Sequence, residues 1–351
     1  MSRRSVAGLL AVGVLLVLVV VASRMPAPYV TVSPGPTVNV LGSEQGKPIV
    51  QITGHRTYPT HGQLRLVTVS ITNPDAEVSL VQALSGWVRK DVAVLPREAM
   101  YPDDSSPAVE QTQGAAQMVN SQDTAAAVAL STLGYHLRSY VEVTGVTPQG
   151  ASAGRLKTRD EIQSLNGTKV HQPQQLLDAM SKVRPGEVVT VGIRRDGAPR
   201  TVRITTRRAT DNPQQAVLGI IIGQAWQFPF DVRLGLSDAI VGPSAGLMFA
   251  LSIYDRLTPG SLTHGLVVSG TGTIASAGQV GPIGGIQQKI VAAQRSGARL
   301  FFVPKDNCAE ALQAPRSDAM RLVLATTFKS ALSSLKTYAD DPSAPLPRCT
   351  S

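Results

Sequence analysis

Apolar residues fill the chain almost without interruption from Val6 to Ala22, directly after two arginines. A run of this length can cross the hydrocarbon core of a bilayer with modest tilt. The basic start places the N-terminus in the cytoplasm and everything after Arg24 outside. A cleaved signal peptide would begin in the same way, and Val21-Ala22-Ser23 is a fair cleavage sequence. The length of the run favours an uncleaved, single-pass membrane anchor at residues 1–24.

Residues 25–133 change from an alternating to a helical pattern. Leu64–Ile71 alternates between apolar and polar positions as a strand does. Val78–Val92 and the Ala-rich segment Gln111–Leu133 have the periodicity of helices, and Gly134 is a natural stop for the second of them. We expect this region, rich in strands and then helical, to pack on the last domain of the chain.

Residues 134–208 form a second predicted unit, in which a helix near Gln172–Val183 follows a strand at Tyr140–Val143. Two further strands are joined by the turn Asp196-Gly197. With the run Asp-x-Ile-x-x-Leu-Asn-Gly before the helix, this order resembles a bacterial PDZ domain, except that Arg159 stands where such domains usually carry glycine. The resemblance implies a small β-barrel with helices and a groove that binds a peptide as an additional strand.

The last predicted domain, residues 209–340, alternates strands and helices and is followed by a tail at 341–351. The expected strands are Asp231–Leu234, Leu266–Ala275 and Arg299–Val303, and the expected helices are Ser244–Tyr254 and Gly284–Ser296. Together the units predict an α+β protein with an N-terminal transmembrane helix.

The segment Gly242-Pro243-Ser244-Ala245-Gly246 lies where a strand region gives way to a helix. Backbone N–H groups at such a point are unpaired and could face a developing oxyanion, while the small residues around Ser244 let a substrate backbone approach. Ser244 is therefore a candidate nucleophile, supported by Gly242, Pro243, Ala245 and Gly246. The alternative is structural, because serine is also a preferred N-cap residue.

Lys289 lies at the edge of a helical apolar stripe formed by Ile286, Ile290 and Ala293. A serine hydroxyl needs a neighbouring base, and a lysine can act as one when burial lowers its pKa from about 10.4 toward neutrality. The alternative is a lysine whose stem covers the core and whose amine reaches water. Thr271, between the two segments, could place a hydroxyl beside the lysine amine.

The motifs Gly-Pro-Ser-Ala-Gly-Leu and Thr-Gly-x-Ile-x-x-x-Gly-x-Val-x-Pro-Ile-Gly-Gly-Ile-x-x-Lys, followed by an apolar strand, resemble the proteolytic domain of Lon proteases. The resemblance implies that Ser244 is the nucleophile, Lys289 the general base and Thr271 the residue that orients the lysine. Val241 occupies a place where Lon enzymes often carry an acidic residue, and Asp238 lies further upstream. A histidine base is the rival, and His264 is its one candidate in this domain.

An anchor, a PDZ unit and a Lon-like domain in this order resemble the membrane-anchored, PDZ-containing Lon-like proteases of bacteria. The chain contains no Gly-x-x-x-x-Gly-Lys-Ser/Thr loop, so ATP-independent cleavage of peptides or exposed protein segments outside the membrane is implied. Lon-like domains also imply a homo-oligomer. The alternative from another class is a non-catalytic PDZ scaffold of the cell envelope that only binds peptides.

Composition narrows the partners further. The net charge is +9, but the Lys and Arg residues are scattered without a basic run or an interleaved aromatic stripe, so a nucleic-acid partner is not expected. Cys308 and Cys349 are the only cysteines, and their spacing suits no zinc site. We expect no metal and no cofactor. In an oxidising compartment the two cysteines either pair or remain free.

Overall fold

The structure is a computed structural model that describes residues 3–73, 76–101, 107–237, 240–315 and 320–350. The helices in these ranges are α1 (Arg3–Arg24), α2 (Leu80–Val88), α3 (Arg97–Met100), α4 (Pro107–Thr132), α5 (Pro173–Met180), α6 (Gly246–Leu257), α7 (Ile286–Arg295), α8 (Cys308–Ala311) and α9 (Phe328–Asp340), with a 3₁₀ turn at Lys305–Asn307.

The strands in the same ranges are β1 (Pro26–Ala27), β2 (Tyr29–Asn39), β3 (Ser43–Glu44), β4 (Lys47–Pro48), β5 (Val50–Thr53), β6 (Gln63–Ile71), β7 (Val78–Ser79), β8 (Ala93–Pro96), β9 (Arg138–Val146), β10 (Glu161–Leu165), β11 (Thr168–Lys169), β12 (Val188–Arg195), β13 (Ala198–Thr205), β14 (Arg207–Arg208), β15 (Ala216–Val217), β16 (Ile220–Gln227), β17 (Asp231–Leu234), β18 (Val267–Gly270), β19 (Thr273–Ile274), β20 (Val280–Gly281), β21 (Leu300–Pro304) and β22 (Arg321–Ala325).

The predicted apolar helix at the N-terminus is α1. Its segment Ala7–Arg24 has a mean hydropathy of 2.4 and buries no residue against the rest of the chain. By length and composition it can cross a membrane.

The main sheet has six strands in the order β22-β21-β18-β6-β2-β8. Strands β22, β21, β18 and β6 run parallel to their neighbours, and β2 and β8 complete the sheet antiparallel. Three of the strands precede residue 100 and three follow residue 266. The N-terminal region therefore does more than pack on the last domain, because it supplies half of that domain's sheet.

Helices cover both faces of this sheet. Leu64 and Phe302 point to one face and join a core with Phe249 of α6, together with residues of α4 and α9. Phe301 and Val303 point to the other face and pack against α7. This division follows from the pleat, because successive side chains of a strand point to opposite faces.

The second sheet has the order β13-β12-β10-β9-β16, with β11 paired to β10. The predicted turn Asp196-Gly197 joins β12 to β13, and both residues have positive φ angles, 52° and 78°. Strand β16, Ile220–Gln227, pairs antiparallel with β9. This strand lies beyond the predicted boundary at residue 208, and Leu218 before it is buried in the same core. The sequence missed the pairing because β9 and β16 are remote along the chain.

Helix α4 connects the two sheets. It packs on α6 of the main domain and on β9 and β16 of the second sheet. It corresponds to the predicted helix Gln111–Leu133, but it begins earlier, at Pro107, and ends one residue earlier, at Thr132. Gly134 follows with φ +94°, the left-handed conformation that commonly ends a helix.

Two predicted elements end or break near the candidate nucleophile. Helix α6 begins at Gly246 rather than at Ser244. The predicted strand Leu266–Ala275 is interrupted after Gly270, because Gly272 forms hydrogen bonds with the start of α6 and the turn before it. The N–H of Gly272 donates to the carbonyl of Ser244, and its carbonyl accepts from the N–H of Leu247.

A disulfide joins Cys308 at the start of α8 to Cys349 in the tail, with their Cα atoms 5.1 Å apart. Of the two outcomes left open by the sequence, pairing is therefore the one found. Leu346 is buried, and the N–H of Leu324 donates to the carbonyl of Pro347. The tail is thus fastened along β22.

We predict that Cys349→Ser lowers the free energy of unfolding by about 3 to 4 kcal/mol, because the bridge closes a loop of 41 residues and restricts the unfolded chain. Urea unfolding with and without reductant measures the change. Reductant should destabilise the wild-type chain equally and leave the variant unaffected. Equal stability of the two chains without reductant would contradict the pairing.

Candidate active site

The carbonyl of Ser244 is fixed at the end of β18. It accepts hydrogen bonds from the N–H of Gly272, at 2.8 Å, and from Oγ1 of Thr271, at 3.0 Å. The N–H of Thr271 in turn donates to the carbonyl of Phe302 in the neighbouring strand. Ser244 therefore lies at the carboxyl edge of the parallel strands, the edge where open α/β sheets bind their ligands.

The two residues before Ser244 are held by α4. Gly242 has φ +95°, a conformation that suits glycine, and its N–H donates to the carbonyl of Gly114 at 3.1 Å. Oγ of Ser121 donates to the carbonyl of Pro243 at 3.1 Å. Sequence reasoning missed Gly114 and Ser121, since neither belongs to a chemical motif and both act from a helix remote along the chain.

The two residues after Ser244 begin α6 in a tight space. A Cβ added to Gly246 would lie 2.8 Å from Cγ2 of Ile274 and 3.0 Å from Oγ of Ser121. The N-cap is Ala245, which is buried, and no side chain caps the helix. The alternative in which Ser244 serves as the N-cap is therefore wrong, and its half-buried side chain is left for another purpose.

Two backbone donors remain beside the serine. Among the described residues, the N–H groups of Ser244 and Ala245 donate to no acceptor, whereas those of Gly246 and Leu247 bond to carbonyls. Unpaired N–H groups before a helix lie at the positive end of its dipole. They are suited to hold an oxyanion, as the sequence predicts.

Lys289 is buried in α7. The helix starts after Gly285, whose φ is +67° and where an added Cβ would lie 2.8 Å from Cγ1 of Val69. The lysine is only 3% exposed, and this burial lowers its pKa to about 8. It forms no ion pair within the described ranges. The alternative in which the amine reaches out into water does not fit this burial.

Lys289 and Ser244 belong to the same edge of the sheet but share no hydrogen bond. In β6, Leu66 pairs with Gly270, the last residue of β18. Val69 follows Leu66 and therefore lies past the end of β18, where it contacts the start of α7. Side chains of a helix lean toward its N-terminus, so Lys289 is directed back toward this edge. In the described part of the chain, however, neither the lysine amine nor the serine hydroxyl is hydrogen-bonded. The dyad stays a prediction.

The remaining predicted site residues have different outcomes. The hydroxyl of Thr271 bonds to the carbonyl of Ser244, so its role in orienting Lys289 also stays a prediction. His264 precedes β18, whereas Thr271 follows it, so His264 lies at the edge of the sheet opposite to Ser244. There Nδ1 of His264 is 3.7 Å from Oδ1 of Asp340. The position of His264 therefore does not support it as the base for Ser244. Asp238 lies outside the described residues, and Val241 is exposed.

A groove of about 1170 Å³ runs along the second sheet between α5 and β16. Leu176, Leu177 and Met180 line one side, and Ile220 and Ile222 line the other. Strand β16 pairs only with β9 among the described strands, so its second edge is unpaired. An apolar groove beside an open strand edge can take an extended peptide as an additional strand.

An ion cluster ties this domain to α4, in which the carboxylates of Asp123 and Glu142 are largely buried and the side chain of Arg159 is 51% exposed. Arg159 donates from Nη1 to Asp123 of α4, at 2.5 Å, and to Glu142 of β9, at 3.2 Å. Burial raises the pKa of Asp123 and raises that of Glu142 to about 7. The φ angle of Arg159 is +73°, a left-handed conformation that costs a non-glycine residue roughly 1 kcal/mol or more. Arg159, which stands where PDZ domains usually carry glycine, thus has a backbone conformation typical of glycine, and its side chain joins α4 to β9.

Metal binding has no structural support here. Within the ranges that the structure describes, no three His, Cys, Asp or Glu side chains come together as a metal site would require.

Comparison with known proteins identifies two domains. Residues 238–335 match the Lon protease (S16) C-terminal proteolytic domain, and residues 116–206 match the PDZ domain. Lon protease 3 of Sorangium cellulosum is 30% identical over 178 residues, which are 49% of this chain and 21% of that protein. Lon protease of Desulforamulus reducens is 41% identical over 81 residues, 22% of this chain and 10% of that protein.

Solved PDZ structures are also similar. The PDZ domain of the SdrC-like protein from Listeria monocytogenes is 18% identical, with a TM-score of 0.22, and the match covers 24% of this chain and 86% of that one. The chain spans only a tenth to a fifth of the length of the Lon proteases above. It carries a PDZ domain and a Lon-type proteolytic domain.

We predict that Lys289→Met raises the free energy of unfolding by about 3 kcal/mol at pH 7, because it removes a buried ammonium whose pKa falls from 10.5 to about 8 on folding. Above pH 8 the folded chain releases this proton before the unfolded chain does. The wild type therefore gains stability as pH rises toward 10.5, and the advantage of the variant disappears.

Urea unfolding across this pH range measures the effect. Lys329→Met, at an exposed lysine on α9, is the matched control and should change stability little at any pH. A destabilised Lys289→Met chain at pH 7 would contradict the burial of a charged amine.

Proposed function

We propose that this chain, which carries a Lon-type proteolytic domain beside a PDZ domain, is an ATP-independent serine endopeptidase. Its substrates are peptides or exposed protein segments at the extracytoplasmic face of the membrane. One observation carries the proposal: a lysine that is 3% exposed, with its pKa lowered to about 8, stands at the same sheet edge as a serine beside two backbone N–H groups that donate to no acceptor among the described residues.

The chemistry follows from these groups. The neutral amine of Lys289 accepts the proton of the Ser244 hydroxyl, and the serine oxygen attacks the peptide carbonyl. The N–H groups of Ser244 and Ala245 hold the negative oxygen of the tetrahedral intermediate. Lys289 returns its proton to the departing amine, which leaves an acyl-enzyme. Water then attacks the ester, with Lys289 again accepting the proton, and the second product leaves.

The mechanism needs the two side chains to approach each other when a substrate binds. Catalytic hydrogen bonds are often long in free enzymes and shorten in the substrate complex. The carbonyl of Ser244 is held by Gly272 and Thr271, so the approach involves rotation of the serine side chain and of the lysine stem. A peptide backbone laid along the edge would also exclude the water that reaches the half-buried serine.

The location rests on three features. Helix α1 is long and apolar enough to span a membrane, and Arg3 and Arg4 lie at its N-terminal end. The disulfide between Cys308 and Cys349 is typical of an oxidising compartment.

Independence from ATP is supported by the lack of a nucleotide-binding loop in this sequence. By analogy with Lon-like rings, we also propose a homo-oligomer.

The PDZ groove is proposed to control the protease through α4. Strand β16 lines the groove on one side and packs on α4 behind, where a Cβ added to Gly223 would lie 2.6 Å from Oδ1 of Asn120. The next residue of α4, Ser121, holds Pro243 beside the nucleophile. Asp123 receives the Arg159 ion pair. A peptide that shifts β16 therefore acts on the turn that carries Ser244.

A second candidate function is a non-catalytic, peptide-binding scaffold. It is favoured by the lack of a hydrogen bond between Ser244 and Lys289 in the described structure and by the size of the groove. The two candidates differ in whether products form.

We predict that the full chain cleaves unstructured peptides and that Ser244→Ala and Lys289→Ala each abolish cleavage while leaving groove binding intact. Mass spectrometry of a mixed peptide library identifies the products. In the wild type, kcat/KM should increase with pH up to about 8, since only the neutral amine can accept the proton.

Lys329→Ala serves as the control and should cleave as the wild type does. Turnover that survives Lys289→Ala would refute the dyad. Peptide binding without any product from the wild type would favour the scaffold.

We predict that Arg159→Gly uncouples the groove from the protease, because it removes the ion pairs with Asp123 and Glu142 while glycine accepts the left-handed backbone. The measurement is the ratio of kcat with and without a saturating peptide that has an apolar residue and a free carboxylate at its C-terminus. The ratio should differ from one in the wild type and approach one in the variant.

The matched control is Arg194→Gly, which removes a surface pair with Glu161 at 3.6 Å and should keep the wild-type ratio. An unchanged ratio in a folded Arg159→Gly chain, with peptide still bound, would contradict coupling through α4.

A further inference from the structure

Helix α2 has an unusual distribution of side chains. Its small residues Ala83 and Gly86 are buried, and a Cβ added to Gly86 would lie 2.6 Å from Cγ2 of Val94 in β8. Its large apolar residues face away from the protein. They are, with their exposed fractions, Val81 (38%), Leu84 (48%), Trp87 (55%) and Val88 (85%). A helix of a water-soluble domain normally buries its large apolar side chains, whereas the described residues leave this face largely uncovered.

The exposed face starts where the N-terminal helix ends. The N–H of Leu80, the first residue of α2, donates to the carbonyl of Met25 at 3.0 Å. Strand β1 pairs with β7, which places Pro26 opposite Ser79. Helix α2 also contacts α1. The apolar face is therefore continuous with the end of α1, and Met25 between them is 52% exposed.

The dimensions match a bilayer surface. The 22 residues of α1 span roughly 33 Å, close to the thickness of a hydrocarbon core of about 30 Å. If α1 crosses the membrane, its end at Arg24 lies at the boundary between acyl chains and headgroups. The nine residues of α2 extend about 14 Å, which is more than the thickness of one interfacial layer, so the helix fits that layer when it lies along the membrane plane.

The residue types also match. Trp87 is supported by an edge-on contact with the ring of Tyr29, with centroids 5.5 Å apart, and tryptophan and tyrosine are enriched where membranes meet water. Arg89 and Lys90 follow the helix and are exposed, and Arg89 also pairs with Asp91 at 3.0 Å. Basic residues beside an apolar helical face are typical of helices that lie in the plane of an anionic membrane.

We propose that α2 is a second membrane contact, which lies in the headgroup layer and fixes the protease domain against the bilayer. The contact surface consists of Val81, Leu84, Trp87 and Val88. It rests on the membrane anchoring in the proposed function and adds an orientation to it. Anchoring by α1 alone leaves the domain free to rotate about its exit point, whereas α2 in the same surface holds the main sheet at one angle to the membrane.

The chain offers an internal probe, because it contains two tryptophans, Trp87 in α2 and Trp226 on β16 of the PDZ sheet. The full chain is placed in vesicles of phosphatidylethanolamine and phosphatidylglycerol, with bromine atoms at shallow or deep positions of the acyl chains. Trp226→Phe reports on Trp87 alone, and Trp87→Phe reports on Trp226 alone. Flotation of the vesicles measures anchoring separately.

In the Trp226→Phe chain, we expect shallow bromines to remove most of the fluorescence and deep bromines to remove less. In the Trp87→Phe chain, fluorescence should persist with both. If the chain floats with the vesicles but Trp87 is not quenched, the interfacial contact is refuted and the anchor stands. Protection of Trp87 that depends on the ratio of protein to lipid would assign the face to a second copy instead. If the chain does not float, the anchor fails and this proposal fails with it.

Discussion

The position of the candidate nucleophile depends on two hydrogen bonds to one oxygen. The carbonyl of Ser244 accepts from the N–H of Gly272 and from the hydroxyl of Thr271, both of which follow a buried central strand. A backbone carbonyl that is partly removed from water is normally paired, and here the chain leaves the sheet ladder to donate to it. The turn, the break between β18 and β19 and the late start of α6 are therefore consequences of one constraint. Gly242 suits the turn because its φ angle is +95°, whereas Gly246 is required because an added Cβ would lie 2.8 Å from Cγ2 of Ile274.

A second constraint is the burial of Lys289, which opposes stability. An ammonium at 3% exposure without an acidic partner among the described residues costs about 3 kcal/mol at neutral pH, and a fold does not need it. Residues that destabilise a fold in this way are concentrated at functional sites. Arg159 is a similar case, since it adopts a glycine-like backbone to bridge α4 and the PDZ sheet. Of the two, Arg159 lies on the route from the groove through α4 to the nucleophile.

The sequence predicted what depends on local pattern and motif. The apolar helix, the Ala-rich helix, the Asp196-Gly197 turn and the residue types at the site follow from periodicity and spacing. It did not predict what depends on distant contacts: the pairing of β16 with β9, the joint sheet of the N-terminal and last regions, or the role of Ser121. These partners are separated by tens to hundreds of residues. Arg159 was visible only as a departure from a pattern, and its partners Asp123 and Glu142 required the fold.

Lys289 can act as the base only if its amine loses its proton near neutral pH, and its burial favours this loss. Its titration can be followed directly by NMR of the lysine Cε in the Ser244→Ala chain, with Lys289→Met to assign the signal. We expect a midpoint at about pH 8 for Lys289. A midpoint near the ordinary lysine value of 10.5 would contradict it, because a charged amine could not accept the serine proton at neutral pH.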